Sequence, residues 1–382
     1  MFSKFNMRFP TDIAAILERV DRIDPVAYGQ TRNYVDGDVT YLSPYLSRGV
    51  ISTRQVAATV LSKGYHPEQI QRFLQELAWR EYFQRVWQNL GDDMFDDIRV
   101  NRTSLTSSSL PAAIANACTG IEAIDRGIEN LYNTGYMHNH LRMYTASLAC
   151  NVARAYWKLP SQWMYYHLLD GDLASNTCSW QWVAGSFSSK KYYCNQENIN
   201  KYCHTDQRHT LLDHDYSLLP HLECPAILQA TERPVLLTEL PSTPLPTIDP
   251  SLPLHIYHPY HLDTTWRSAA SANRVLLLEP SHFKEHPVSK KVIDFIIALA
   301  GNIEGLQLFC GEFSDIPFAY QVPAVYTREH PAYQHIPGIK DARDWMFPEV
   351  TRFYPSFFGF WKKATPYLKK LSASSWQTAA AY

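Results

Sequence analysis

Apolar residues recur at every third or fourth position through most of the first 205 residues, the spacing of helices that bury one face. TDIAAILERVDRI opens with Thr11 as a cap, and STRQVAATVLSKGY runs from a Ser52 cap to a Gly64 stop. PEQIQRFLQELAWREYFQRVWQNLG predicts one long amphipathic helix from Pro67 to Gly91. TGIEAIDRGIENLYNTGYMHNHLRMYTASLACNVARAYWKLP predicts two helices broken near Gly135, and PSQWMYYHLLDGD adds another. The texture changes near Leu218: eight prolines fall between Pro220 and Pro253, which predicts a linker or an extended strap. Beyond it NRVLLLEP is a continuous apolar strand, HPVSKKVIDFIIALAG a helix and GLQLFCGEF a second strand. That order implies a parallel sheet. FPEVTRFYPSFFGFWKKATPYLKKL reads as broken aromatic helices. The expected architecture is mainly α: a helical domain over 1–215, a Pro-rich linker over 216–252 and a smaller α/β domain over 253–382.

Composition narrows the function classes. A net charge of −2 over 382 residues argues against binding a polyanion by bulk charge, although a local basic patch remains compatible with it. Ten tryptophans and 24 tyrosines are many; they fill cores, stack on flat ligands or relay electrons. Seven cysteines without a CxxC do not make a disulfide framework, which fits a reducing, cytoplasmic setting. The first twenty residues read as neither a signal peptide nor a membrane span, and VIDFIIALAG is too short to cross a bilayer, so no membrane partner is expected.

Four stretches concentrate chemistry. In LLDGDLASNTCSWQW, Asp172, Asn176 and Trp180 follow one another at four-residue steps, one row on a helix. Asp170 and Asp172 could simply cap that helix. A carboxylate, an amide and an indole in one row suit a flat heterocycle with a polar edge better than a core, where such groups need partners. In FLQELAWREYF, Glu76, Trp79 and Arg80 share a face; without the indole, Glu76 and Arg80 would be an ordinary surface pair. In GYMHNHLRMYTAS, Asn139, Arg142 and Met143 share another face, and Arg142 is a candidate cation for Asp170 or Asp172. In YVDGDVTYLSPYLSRGVIS, Thr40 and Ser43 flank a turn whose amides could hold phosphate.

In this order and at this spacing, YLSPYLSRGVIS, ELAWREYF, TGYMHNHLRM and LLDGDLASNTCSWQW resemble four signatures of the photolyase/cryptochrome flavoproteins, over about residues 20–195. The resemblance implies a helical domain that folds FAD into a bent form, followed here by a smaller, Rossmann-like α/β domain. Members split ultraviolet pyrimidine dimers by light-driven electron transfer or signal in blue light. Carried over position by position, Tyr28, Thr40, Leu42, Ser43 and Arg80 resemble the phosphate contacts. Asn139, Arg142, Asp170, Asp172 and Asn176 resemble the flavin contacts, with Arg142 paired to Asp170 and Asp172 accepting from the ring imide. Asn176 corresponds to the residue facing flavin N5, where photolyases typically carry Asn and many cryptochromes Asp or Cys; a neutral amide there implies repair. Glu76 corresponds to the acid that hydrogen-bonds the flipped dimer, Trp79 and Trp182 to the indoles that wall its pocket, and Met143 to a further contact. Asn139 lies where enzymes for 6-4 photoproducts usually have His, which implies cyclobutane dimers, though His140 is adjacent. Trp180 and Trp157 correspond to the inner and middle members of the electron chain. The outer one should fall near Ser104, in a stretch without Trp or Tyr, so electrons would exit elsewhere, for example through Trp163. Tyr136 and Phe73 stand where Trp is common, and Val39 where Thr is common.

The resemblance thus implies a deoxyribodipyrimidine photolyase, a monomer whose partner is UV-damaged DNA and whose cofactor is FAD. The alternative is a cryptochrome-like blue-light photoreceptor without repair, whose expected long signalling tail has no counterpart after Trp376. LPLHIYHPYHLD, NRVLLLEP, HPVSKKVIDFIIALAG and GLQLFCGEF loosely resemble the opening of the family's antenna domain, placed at the other end of the chain, which implies a swapped domain order. No residue there can be assigned to an antenna pigment, whose identity stays unknown. Lys190 and Lys191 are candidates for DNA phosphates or a solvated pair. Cys178, Cys194, Cys203 and His204 match no common metal spacing, so no metal is expected.

Overall fold

The computed structural model describes residues 9–99 and 105–371, and the position near Ser104 lies outside them, as does Trp376. Chain contacts define two compact units. Among the described residues the first holds Gln30–Val39 and Leu90–Leu236, and the second Phe9–Gly29, Thr40–Asn89 and the chain from Leu237 onward.

The first unit is built on the helices Glu122–Thr134, Asn139–Ser147, Lys158–His167, Leu173–Ala184 and Gln196–Cys203. Ile124, Ile128 and Leu131 form the buried stripe of the Glu122–Thr134 helix and pack with Leu141, Tyr144, Leu148 and Trp163. Each such side chain contributes about 1.5–3 kcal/mol when fully buried. The break near Gly135 has a backbone cause: Gly135 ends the helix in the left-handed region at φ 73°, open to glycine at little cost. Its carbonyl accepts from Leu169 N at 2.8 Å, which brings the loop carrying Asp170 back to the start of the next helix. After Ser147 the helix widens into a π-type turn over Leu148–Val152. There Asn151 Nδ2 donates to the Val183 and Tyr192 carbonyls at 2.9 and 2.7 Å. The first half of the proline-rich segment belongs to this unit, where β2 (Thr231–Glu232) pairs antiparallel with β1 (Leu110–Pro111).

The second unit combines the helices Ile13–Asp21, Thr53–Ser62 and Gln71–Leu90 with the C-terminal sheet. Asp12, not Thr11, caps the first of these: its Oδ1 accepts from Ala15 N at 3.0 Å, while the Thr11 carbonyl is taken by Asn302 Nδ2. Ser52 and Gln55 form a reciprocal capping box on the second. The long helix starts at Gln71 rather than Pro67, because residues 67–70 turn tightly and Gln69 N takes the His66 carbonyl.

The sheet has five parallel strands, β3 (Leu254–Tyr257), β4 (Asn273–Leu278), β5 (Leu306–Cys310), β6 (Val325–Arg328) and β7 (Ile339–Asp341), in the order β5-β4-β3-β6-β7. This is a doubly wound, Rossmann-like order. Its central strands are almost wholly buried on both faces, as in a covered parallel sheet. Residues 237–252 form the expected strap. Thr243 Oγ1 accepts from Cys310 N at 2.9 Å, and Thr247 exchanges two hydrogen bonds with the Gln307 side chain, so the strap covers the β5 edge. Helices come first and a parallel sheet follows, as the hydrophobic pattern predicts. The contact units are drawn differently from the 1–215, 216–252 and 253–382 division: residues 9–29 and 40–89 group with the sheet, and the proline-rich segment is shared out rather than free. No helix among the described residues is long and apolar enough to cross a membrane.

Candidate functional site

In the first unit Asp170 and Asp172 of LLDGDLASNTCSWQW are buried and partnered. Arg142 Nη2 donates to both oxygens of Asp170, at 2.8 and 3.0 Å, and its Nε donates to the Met137 carbonyl at 2.8 Å. The Asp170 side chain is 4% exposed, so only such a charge-assisted pair offsets its desolvation. The Arg142 guanidinium also lies 5.6 Å from the Tyr136 ring centre. Asp172 is buried and caps the Leu173–Ala184 helix, accepting from Ser175 N at 2.7 Å. The capping role and the row of Asp172, Asn176 and Trp180 therefore coexist. Asn176 Nδ2 donates to the Ser161 carbonyl at 3.0 Å, which commits the amide nitrogen and turns its oxygen the other way. Asn139 Nδ2 lies 3.8 Å from Met143 Sδ. A paired guanidinium, a buried carboxylate, an oriented amide and the buried Trp180 are a donor set that fits a flat ring with an imide edge.

Both electron-chain candidates are interior. Trp180 is 2% exposed and Trp157 3%. Trp157 Nε1 donates to Asp97 Oδ1 at 2.7 Å, and the Tyr156 ring lies 5.6 Å from it. Trp163 is buried too, and its Nε1 donates to the Tyr132 hydroxyl at 3.0 Å. Trp182 is half-buried against Tyr192, with ring centres 5.7 Å apart. Lys190 is exposed. Lys191 is half-buried, and burial holds its pKa below the usual lysine value.

In the second unit, Tyr28 meets the Phe73 ring edge-on at 5.3 Å. Thr40 Oγ1 accepts from Leu42 N at 3.4 Å, Leu42 is buried, and Ser43 starts the short Ser43–Ser47 helix. Arg80 Nη2 donates to Ser47 Oγ at 2.6 Å. Glu76 is half-buried on the same helix. Trp79 is enclosed by rings: Phe357 stacks on it at 3.8 Å and 11°, and Phe83 and Tyr82 lie at 5.2 and 5.7 Å.

Several partners were missed by sequence reasoning. Ser161, Asp97 and Phe357 lie outside the four signatures, and Ser47, though inside YLSPYLSRGVIS, shows its role only through Arg80, 33 residues on. Glu81, one turn past Leu77, is a further miss. Burial pushes its carboxyl up to about 7, and it accepts from Met346 N and Phe347 N beside Arg85 and Arg343. It fastens the 346–347 segment to the long helix. A cleft of about 400 Å³ opens on the first unit beside Arg126, Asn130, Thr134 and Cys203, and none of the expected site residues lines it. All seven cysteines are free, and among the described residues no group of three or more His, Cys, Asp or Glu is arranged to hold a metal.

The carboxyl ends of β3 and β6 flank the point where the sheet's strand order reverses, the usual ligand crevice of an open α/β sheet. Here the chain fills it with its own rings. His258 stacks on Tyr333 and Tyr260 on His330, each at 4.4 Å, and all four are buried. These residues do not fit a second, flat pigment.

Residues 73–215 match the family described as "FAD binding domain of DNA photolyase". A deoxyribodipyrimidine photo-lyase of Agrobacterium fabrum is 31% identical over 179 residues, 44% of this chain and 37% of that protein. One from a Synechococcus species is 32% identical over 189 residues, 46% of this chain and 39% of that protein. The aligned chain thus spans well under half of either relative. A solved Synechocystis cryptochrome is similar at a TM-score of 0.47 and 24% identity, over 58% of this chain and 49% of that one, too slight a likeness to carry an argument. On the sequence match, residues 73–215 are similar to the FAD-binding domain of DNA photolyases.

Proposed function

We propose that this chain is a light-driven DNA repair flavoenzyme that splits cyclobutane pyrimidine dimers. The observation that carries the reading is Asn176. Its amide nitrogen is committed to the Ser161 carbonyl, so a neutral oxygen, with no proton to give, is left to accept from a ring N–H. When bound and reduced, FAD supplies the light-driven electron. The chain's residues do the rest. Arg142, neutralised by Asp170, and the Asp172 carboxylate orient the ring edge. Tyr28, Thr40, Leu42, Ser43 and Arg80 hold the phosphates.

The substrate is UV-damaged DNA. A dimer stacks poorly in the duplex, so flipping it out costs less than flipping a normal base. Trp79 and Trp182 receive it, at about 1–3 kcal/mol for each stacked base. Met143 lines its approach while Asn139 joins the flavin contacts, Glu76 hydrogen-bonds the dimer's carbonyl edge and stabilises the added electron, and Lys190 and Lys191 meet backbone phosphates. The sheet domain is the counterpart of an antenna domain at the opposite end of the chain, and no antenna pigment enters the reaction.

One observation favours the second reading, a blue-light photoreceptor without repair: Phe357 occupies a face of Trp79 where a base would stack. The test is to reduce the flavin-loaded protein chemically and illuminate it with an oligonucleotide carrying one thymine dimer. Restored thymines are expected. Glu76→Ala should lower the yield about 10²-fold, the usual worth of a positioned acid, with flavin content unchanged. Photoactive FAD beside intact dimers would establish the receptor reading instead.

A further inference from the structure

We infer that Tyr156, with Asp97 receiving its phenolic proton, is the outer electron donor behind Trp157. The inference rests on the flavin reading above and extends it, since an oxidised Trp180 and Trp157 must be refilled from somewhere.

The geometry singles out Tyr156. Its ring adjoins Trp157 at 5.6 Å and 54°. Trp157 is buried, whereas Tyr156 is half-buried and reaches solvent. Its backbone is pinned: Tyr156 N donates to Ser107 O at 2.8 Å, and Thr106 N to Arg154 O at 3.0 Å. Asp97 takes the indole N–H of Trp157 at 2.7 Å, and its charge also acts on the Tyr156 phenol. Burial, then Asp97 and Asp96, push the Tyr156 phenol up to about 12, so it keeps its proton until it is oxidised.

The rival exit is Trp163 with Tyr132. Trp163 is 1% exposed, and its indole donates to the Tyr132 hydroxyl. That hydroxyl donates in turn to the Ala115 carbonyl, at 2.5 Å. A carbonyl cannot keep a proton, so the bond Tyr132 makes offers no base for its oxidation. Asp97 can keep a proton.

The step balances. The indole radical cation of Trp157 takes one electron from Tyr156 and returns to neutral indole. The phenol O–H bond breaks, an Asp97 O–H bond forms, and a neutral phenoxyl radical remains. The acceptor at the head of the chain is light-excited oxidised flavin, and a small thiol in solution reduces the phenoxyl radical.

The test illuminates the flavin-loaded full chain without added reductant, freezes it and records the radicals by electron paramagnetic resonance. A tyrosyl signal is expected in the parent. Tyr156→Phe should replace it with a tryptophanyl signal at unchanged flavin content. Asp97→Asn keeps an acceptor for the Trp157 indole but removes the base, and should slow phenoxyl formation about 100-fold. A tyrosyl signal that survives Tyr156→Phe, or that vanishes in Tyr132→Phe or Trp163→Phe, overturns the inference. Failure of the parent to bind flavin would sink the flavin reading itself. Flavin that photoreduces with no tyrosyl signal would sink the Tyr156 assignment alone.

Discussion

The two units bury polar groups in opposite ways. The first unit keeps charges and pairs them: Arg142 with Asp170, and the Asp97 carboxylate with the Trp157 indole N–H. The second keeps a crowd of imidazoles and denies them charge. Burial pushes His258 down to about 3, helped by Arg328, Arg343 and Lys340 around it. His261, His282 and His330 are driven well below the ordinary histidine value, first by burial and then by one another and by Arg48, Arg328 and Arg343. Paired charges keep a field aimed at a ligand, whereas neutral rings stacked face to face make a core. The difference separates the unit that carries the proposed flavin-ring contacts from the sheet, whose crevice is already full.

Acid should break the comparison most visibly. The unfolded chain protonates these histidines near 6.5, and the folded chain does not until far lower. Their contribution is therefore intact above 6.5 and is lost as pH falls towards the folded values. Because the unfolded chain binds more protons than the folded one below 6.5, stability falls as pH drops through that range. His335 opposes this weakly: its bond to buried Glu279 raises its pKa, so its contribution is present below 6.5 and fades above. The first unit has His138 and His140 pushed down, to about 3 and about 4. Hydrogen exchange at pH 7 and 5.5 should show the β3 and β4 amides losing protection before those of Leu173–Ala184. The reverse order would mean the stacked imidazoles are not the acid-labile element.

The next largest effect belongs to the paired unit. Asp170→Ala leaves the Arg142 guanidinium unmatched and should cost about 3–5 kcal/mol, read as a lower midpoint in urea, together with loss of bound FAD. Asp170→Asn, which can still accept from Arg142, should recover much of the stability but little of the flavin. Equal flavin retention in both variants would make the pair purely structural.

What was legible in the sequence follows from range. Helical rows within 20 residues, such as Asp172, Asn176 and Trp180, are written in a period that any reader can count. Gly135 marks its own break because only a left-handed residue ends the helix there. The proline-rich segment announces an extended strap, but which edge it covers depends on Thr243 and Thr247, which look like any other threonines. Asp97 lies 60 residues from Trp157, and Phe357 lies far from Trp79, so only the folded chain reveals either meeting. The stacked histidines were missed for another reason: His258, His261, His282 and His330 show no ligand spacing, because they serve as aromatic packing.

The smallest effect bears most directly on repair against signalling. Phe357→Leu keeps an apolar side chain beneath Trp79 but removes the stacked ring, a loss of about 1 kcal/mol beyond burial. The folded state should survive that change, since Phe360 and Trp361 remain buried on the same helix. If Trp79 is a platform for a flipped dimer, clearing its face should tighten binding to dimer-bearing DNA, and undamaged DNA should bind as before. A fluorescence anisotropy titration of both oligonucleotides checks this. Unchanged affinity for the damaged strand would mean that Trp79 is a core residue, and that the dimer, if one binds, is met by Trp182 and Met143 without it.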